Sequence, residues 1–404
     1  MTATTTQRPS YLDWSNSGRS SGWRYLSGAL LILIIWFIGQ ALLVIIGALA
    51  LGAEITPAGE IRGIPQWWVL LISVGSFIPF FIATPLIVRF ILDRPALTVV
   101  TPFRRISPRL MLWGGALWLV AVILPSIPVL ITRSADLTWN YQPGVFWPAL
   151  GVAIVLLIFQ TTAEELFFRG YLLQWFGKKF TGAWFLGVAS GVLFALPHLA
   201  NPEVAEADGW GWLLAFAAYF PIGFALAVVS VRSGTLELAI GAHFANNFLN
   251  VVVVSVSNSA LGTTALWIDT APSMLESAIG AAVSAALFIG LCWKLRGSGE
   301  PRPLQPRWVR PAPVIAPPGW FRDPLGAAAL RYWDGASWTH YTHPPQAAQP
   351  AQAAEPVQAG GGVQVSQYTQ DSQSGPVAWE ASPTDPTPPG LPGPTEPPNA
   401  TDPG

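Results

Sequence analysis

The chemistry this chain can offer is concentrated in a short charged stretch inside an apolar run. It reads Thr162-Ala163-Glu164-Glu165-Leu166-Phe167-Phe168-Arg169-Gly170, and the eleven residues 149–159 before it carry no charge. Each charge held at the centre of a membrane helix costs about 2.5–3.5 kcal/mol even on mild insertion scales. Such residues persist where they pair, line a wet cavity or do chemistry. Glu165 and Arg169 are four apart and so share a helix face as an ion pair. That leaves Glu164 over, a carboxylate available as a general base. Of the four histidines, His340 and His343 lie in or beside a C-terminal aromatic island, whereas His198 and His243 fall inside apolar stretches otherwise almost free of titratable groups. A carboxylate and two imidazoles can activate water directly, or can ligate a metal that does so.

Spacing brings these residues toward one layer. The stretches holding Glu164 and His198 form a hairpin turning near Thr181-Gly182-Ala183, and the two residues lie 17 positions before and 17 after Thr181. At the helical rise both sit roughly 20 Å from the cytoplasmic membrane edge, and His243 about 15 Å in, with Asn247 one turn deeper. Phe194 shares a face with His198, four residues on, and its ring walls off the imidazole. His243 and Asn247 likewise face one way and make a donor pair. The bland alternative for Asn246 and Asn247 is interhelical hydrogen bonding.

The elements that must position these residues are membrane helices. The chain has 404 residues, 51% hydrophobic and 11% charged, with a mean hydropathy of +0.44, against roughly a quarter charged in soluble domains. We expect an all-α polytopic membrane helical bundle of about eight transmembrane helices, over residues 25–52, 67–92, 110–131, 146–173, 183–201, 210–231, 234–256 and 274–294. The first apolar run is far longer than a signal peptide's roughly 7–15 residues and reads as a retained anchor. Trp23, Trp67, Trp68, Trp184, Trp210 and Trp212 stand at segment ends, as an interfacial belt requires. Positive charge segregates: Arg8, Arg19, Arg24, Arg89, Arg94, Arg104, Arg105, Arg109, Lys178, Lys179, Arg232, Lys294 and Arg296 fall on one set of loops. The other set has only Arg62 and Arg133 among several carboxylates. The positive side marks the cytoplasm, so both termini are expected there, in a multi-pass plasma-membrane protein. Cys292 is the only cysteine, which excludes an internal disulfide and a thiolate-held zinc.

Outside the membrane domain (residues 23–296) we expect a disordered arm over 1–22 and a Pro-rich linker over 297–316. A small Trp-rich module over 317–343 and a disordered Pro/Gln/Gly-rich tail over 344–404 follow. The Asp334-Gly335 pair predicts a tight turn within a miniature β-unit.

Glu164-Glu165-x-x-x-Arg169, Phe194-x-x-x-His198 and His243-x-x-x-Asn247, in this order on successive apolar stretches, resemble the three motifs of the CPBP family of intramembrane endopeptidases. These include CAAX prenyl proteases and bacteriocin-processing or immunity proteins. The resemblance covers roughly residues 145–255. It implies peptide hydrolysis with Glu164 as general base, His198 holding the same water, and His243 and Asn247 donating to the oxyanion. Glu165 and Arg169 would be supports. The expected partners are a membrane-associated peptide or protein and the bilayer, with no nucleic acid and no cofactor. Three rival readings stay open: a zinc hydrolase with Glu164, His198 and His243 as ligands, a non-catalytic scaffold or immunity-type protein, and a proton-coupled transporter. The motif PPGW(Y/F)xDP…RYWDG…WT in the island resembles a short module appended to bacterial membrane proteins, here a candidate for protein contact.

Overall fold

The computed structural model describes residues 9–56, 60–205, 209–257, 259–302, 304, 317–324 and 328–343, in two units, 1–313 and 314–404. The first is a helical bundle. Its helices are α1 (Gly22–Leu51), α2 (Gln66–Gly75), α3 (Ile78–Phe90), α4 (Pro108–Thr132), α5 (Pro143–Glu165), α6 (Leu173–Phe176), α7 (Ala183–His198), α8 (Pro202–Ala205), α9 (Gly211–Ser233), α10 (Glu237–Val252) and α11 (Met274–Cys292). A π-helical segment, Leu166–Leu172, joins α5 to α6. Local chemistry sets several ends. Ser107 and Ser273 cap α4 and α11 by accepting from the backbone N–H of Leu110 and Glu276, and Gly52 and Gly234 close α1 and α9 in the left-handed conformation.

Each of the eight expected apolar stretches is helical, but they are not equivalent as spans. Among the described residues six helical rods are long and apolar enough to cross a membrane: Gly22–Leu51, Gln66–Phe90, Pro108–Thr132, Pro143–Phe176, Gly211–Ser233 and Met274–Cys292. The other two, α7 and α10, have 16 residues each, about 24 Å of helix against a core of about 30 Å. This revises the expectation of eight full spans. The hydropathy of 183–201 and 234–256 runs on into residues that are not helical, and α10 carries its own polar residues.

Lipid gives little hydrophobic drive for helix association, so close packing and polar bonds must hold the bundle. At the crossing of α4 and α10 a Cβ on Gly114 would collide with the Leu238 carbonyl, and one on Gly241 with the Met111 carbonyl. Only glycine lets these two backbones touch. At the crossing of α7 and α9, a Cβ on Gly223 would strike Phe194.

The bundle has two chemically distinct ends. At one, a hairpin of β1 (Glu54–Ile55) and β2 (Ile61–Arg62) accompanies a sheet ordered β3 (Leu137–Trp139), β5 (Trp267–Asp269), β4 (Val254–Val256). Here Arg133 faces Asp136, Asp269 and Glu276. At the other end residues 9–21 fold into the bundle, which corrects the expectation of a disordered arm. A 3₁₀ helix, Tyr11–Asn16, starts in a capping box on Ser10, and Tyr11 and Trp14 are fully buried. Tyr11 N–H donates to Gly234 O, and buried Arg94 donates to Trp14 O and Gln174. The arm's short apolar pair, Tyr11 and Trp14, lacks the periodicity that marks structure in a sequence. Residues 1–8 lie outside the described residues.

The start of the expected linker is also structured. Gly297 N–H donates to Ser233 O, Arg302 N–H to Pro102 O, and Arg104 pairs with Glu300. Residues 297–302 therefore belong to the bundle, on the same end as the arm. Chain positions 10 and 297 thus share one end, as an even number of crossings demands. Most of the rest of the linker and the tail 344–404 lie outside the described residues.

The second unit is an antiparallel sheet, β6 (Gly319–Arg322), β7 (Leu330–Trp333) and β8 (Trp338–His343), in sequential order. Trp333 and Asp323 are its buried residues, Asp323 accepting from Arg331 at 2.8 Å. The predicted turn at Asp334-Gly335 joins β7 to β8, with Gly335 at φ 95° and the Asp334 carboxylate accepting from Ala336 N–H, Ser337 N–H and Ser337 Oγ. These three donors hold the Asp334 carboxyl below the usual carboxylate range.

Candidate active site

Glu164 and Glu165 are the last two residues of α5, and the π segment begins directly after them. π-type widening frequently accompanies functional sites. Glu165 and Arg169 form the expected pair, Arg169 Nη1 donating to Glu165 Oε1 at 2.9 Å with both side chains fully buried. Arg169 Nη2 also donates to Gly223 O in α9 at 3.3 Å, and its guanidinium lies 4.3 Å over the Phe194 ring. An unpaired buried charge would be costly; here the ion pair, a carbonyl and an aromatic face share the load.

α10 places His243 against both glutamates. Its Nδ1 lies 2.7 Å from Glu165 Oε1 and its Nε2 lies 3.7 Å from Glu164 Oε2. A carboxylate only accepts, so Nδ1 carries the proton and Nε2 faces Glu164. Asn247, one turn on, does not touch Glu164 directly. Its Nδ2 donates to Gln160 Oε1 at 2.9 Å, and Gln160 Nε2 donates to Glu164 Oε1 at 2.5 Å. The chain of bonds extends backward: Trp118 Nε1 in α4 donates to Asn246 Oδ1, and Asn246 Nδ2 to Asn247 Oδ1, each at 3.2 Å. Four bonds thus run in one direction, from an indole through three amides to the Glu164 carboxylate. Aligned donors polarise one another and strengthen the last bond. The bland reading of Asn246 and Asn247 therefore holds as far as it goes, since both bond across helices, and the same bonds end on Glu164.

This relay commits one oxygen of Glu164 and leaves the other. Oε2 is buried and has no hydrogen-bond partner. Oε2 lies 3.7 Å from His243 Nε2, a separation that one bridging water would span.

His198 ends α7. Its Nδ1 is 2.7 Å from Phe194 O, and its ring sits between the rings of Phe194 and Tyr219, 4.5 Å from each. With the Nδ1 proton given to that carbonyl, Nε2 keeps its lone pair. The Glu164 charge acts on this ring. Phe194 is the common neighbour, tilted on His198, edge-on to His243 at 5.6 Å and under Arg169. Every residue singled out in the sequence thus falls in one cluster, with His198 at its more exposed edge; Glu164, His243 and Asn247 are nearly closed to solvent.

Sequence reasoning missed Gln160, which lies four residues before Glu164 and is the first polar side chain after the uncharged run. It also missed Tyr219, whose hydroxyl donates to Glu203 at 2.6 Å while Asn201 donates to both. Nothing in the spacing of Tyr219 marks it. Among the described residues no group of three or more His, Cys, Asp or Glu side chains is placed to hold a metal ion.

Comparison with known proteins meets the same region. Residues 146–249 match the family described as type II CAAX prenyl endopeptidase Rce1-like. The uncharacterized protein YyaK of Bacillus subtilis is 34% identical over 191 residues, which is 46% of this chain and 62% of that protein; the chain spans less than two thirds of that relative. Residues 318–351 match a family described only as a protein of unknown function (DUF2510). No solved structure matches the chain. The matched stretch runs over the helices that carry the cluster, from α5 to α10, within a bundle that has six helical rods long and apolar enough to cross a membrane among the described residues.

Proposed function

We propose that the chain is an intramembrane endopeptidase that hydrolyses a peptide bond of a membrane-associated peptide or protein with water activated by Glu164. The observation that carries this reading is the divided carboxylate: Oε1 fixed by Gln160 at the end of an amide relay, Oε2 buried and free beside His243 Nε2. A base needs an available lone pair held in place, and this one has both. Glu164 takes a proton from the water as its oxygen attacks the scissile carbonyl, and later returns that proton to the leaving amine. His198 Nε2 orients the same water. His243, held through Nδ1 by Glu165, and Asn247, through its second amide hydrogen, stabilise the oxyanion.

In this reading Glu164 acts as a base and not as a zinc ligand. The decisive experiment is proteolysis of membrane peptides by the purified chain. Glu164→Gln should lower turnover by about 10²–10⁴-fold with the protein still folded and inserted, and strong chelators should have little effect. Loss on chelation with recovery on zinc would make Glu164, His198 and His243 ligands. Full activity of Glu164→Gln would leave a non-catalytic scaffold.

The basic end of the bundle, with both the arm and residue 297, belongs in the cytoplasm by the positive-inside rule, and the bilayer is then the plasma membrane. In a chain with Cys292 replaced by alanine, cysteines at Ser298 and at Glu60 should react with an impermeant thiol reagent from opposite sides. Labelling of both from outside the cell would overturn this topology.

A further inference from the structure

His198 stands where its helical scaffold gives out. It is the last residue of α7 and follows Pro197, which has no N–H to donate back along the helix. Beyond it the backbone bonds span three residues: Leu199 to Leu196, Ala200 to Pro197 and Asn201 to His198. Helix ends fray, so a side chain here is fixed by its surroundings more than by its own helix. Phe194, one turn back on α7, supplies one wall and the carbonyl 2.7 Å from Nδ1; Tyr219, from α9, supplies the other wall, each ring 4.5 Å from the imidazole. The Tyr219 ring is in turn held by its hydroxyl. This donates to Glu203 Oε1 at 2.6 Å, the length of a charge-assisted bond, and accepts from Asn201 Nδ2 at 3.1 Å. Asn201 Nδ2 also donates to Glu203 Oε1 at 3.0 Å, which closes the set. Asn201 and Glu203 lie three and five residues after His198, so the segment that carries the imidazole also fixes the wall against it. The second Glu203 oxygen accepts from Ala260 N–H at 3.0 Å, tying the set to the loop between β4 and β5.

We propose that Tyr219 is a positioning residue for the proteolytic site, its ring kept by Glu203 and Asn201 as the wall that sets the plane of the His198 imidazole. The Nδ1 contact with Phe194 O fixes one edge of that ring, and a slot bounded on both faces removes the remaining rotation, so Nε2 keeps one direction. Tyr219 acts on the reaction through His198. The loop that follows α7 thereby becomes part of the catalytic unit, and Glu203 is the residue that anchors it.

This rests on the proteolytic reading, and the test separates the two. Tyr219→Phe keeps the ring and removes the hydroxyl; Glu203→Ala removes the acceptor and leaves both rings in place. In full-length protein each should lower kcat about tenfold with KM unchanged, the expected effect of one lost hydrogen bond that holds a catalytic group. The two variants break the same bond, so the double variant should fall no further than either single one. Glu203→Gln keeps an accepting oxygen and should recover most of the loss, whereas Tyr219→Leu removes the wall itself and should cost about 10²-fold. Unmodified kcat in Tyr219→Phe, or losses that multiply in the double variant, overturns the assignment. Should Tyr219→Phe fail to fold, Glu203→Ala against Glu203→Gln decides, and equal losses in these two overturn it. If the unmodified chain shows no turnover, the proteolytic reading fails by itself, and Tyr219 is judged on ¹⁵N-histidine spectra at one fixed pH. There the His198 ring signals must move in both Tyr219→Phe and Glu203→Ala; signals unmoved in either overturn the proposal.

Discussion

Two adjacent glutamates are given different work by their partners. Glu165 is held on one oxygen by a guanidinium and an imidazole; Glu164 receives a single amide on one oxygen, and its other oxygen lies 3.7 Å from His243 Nε2. The difference comes from helical position, since Arg169 is four residues after Glu165 and Gln160 four before Glu164. Gln160 is thus the residue that decides where Glu164 points. Gln160→Leu removes both of its amide bonds while filling similar space. It should cost on the order of 10²-fold in kcat, as expected for a misplaced catalytic group, and less than Glu164→Gln. Steady-state kinetics on the two variants decide this, and unmodified turnover in Gln160→Leu would remove the relay from the mechanism. The sequence showed Glu164, Glu165, Arg169, His198 and His243 because charged or imidazole groups stand out in apolar runs, and Phe194 and Asn247 because each lies four residues from one of those histidines. Gln160 and Tyr219 are ordinary polar residues whose meaning comes from what they touch.

At the scale of elements, the site exists where two helices of 16 residues meet the longest composite one. Both α7 and α10 have 16 residues, and each brings one histidine. What locks α10 in place is its backbone contact with α4 through Gly114 and Gly241, which also brings the Trp118 indole within reach of Asn246. Adding one methyl here forces the helices apart. Gly241→Ala should destabilise the detergent-solubilised protein by about 1–3 kcal/mol, the usual cost of overpacking. The melting temperature reports this, and a value equal to the unmodified protein's would show that the crossing has slack. The π segment from Leu166 to Leu172 had no counterpart in the sequence reading, which treated 146–173 as one regular helix. Nothing in residue type separates i→i+5 from i→i+4 bonding.

Across the whole molecule, the described residues from 9 to 302 act as one body closed at its basic end by both flanks. The arm packs on Gly234 and Arg94, and residues 297–302 pack on Ser233 and Pro102. Two truncations distinguish structural from catalytic roles of the C-terminal region. Ending the chain after Pro313 should leave stability and turnover unchanged, because every candidate site residue and every contact of residues 297–302 is kept. Ending it after Arg296 should lower the melting temperature by removing the Gly297 and Arg302 backbone bonds and the Arg104–Glu300 pair. Loss of activity on the longer truncation would place the Trp-rich unit in the reaction.

The sequence by itself determined the class of the protein, the apolar segments, their charged and uncharged ends, and the identity of nearly every polar residue in the cluster. Those properties follow from the cost of placing charge and polarity in lipid, which each residue incurs wherever its neighbours lie. Only the tertiary structure decided which glutamate oxygen faces which histidine nitrogen, and that an N-terminal arm that reads as disordered folds into the bundle. These depend on contacts between segments far apart in the chain, such as Asn247 with Gln160, His243 with Glu165 and Tyr11 with Gly234. Such contacts leave no periodic trace, because each is made once, by one pair of residues, at a crossing fixed by the packing of helices.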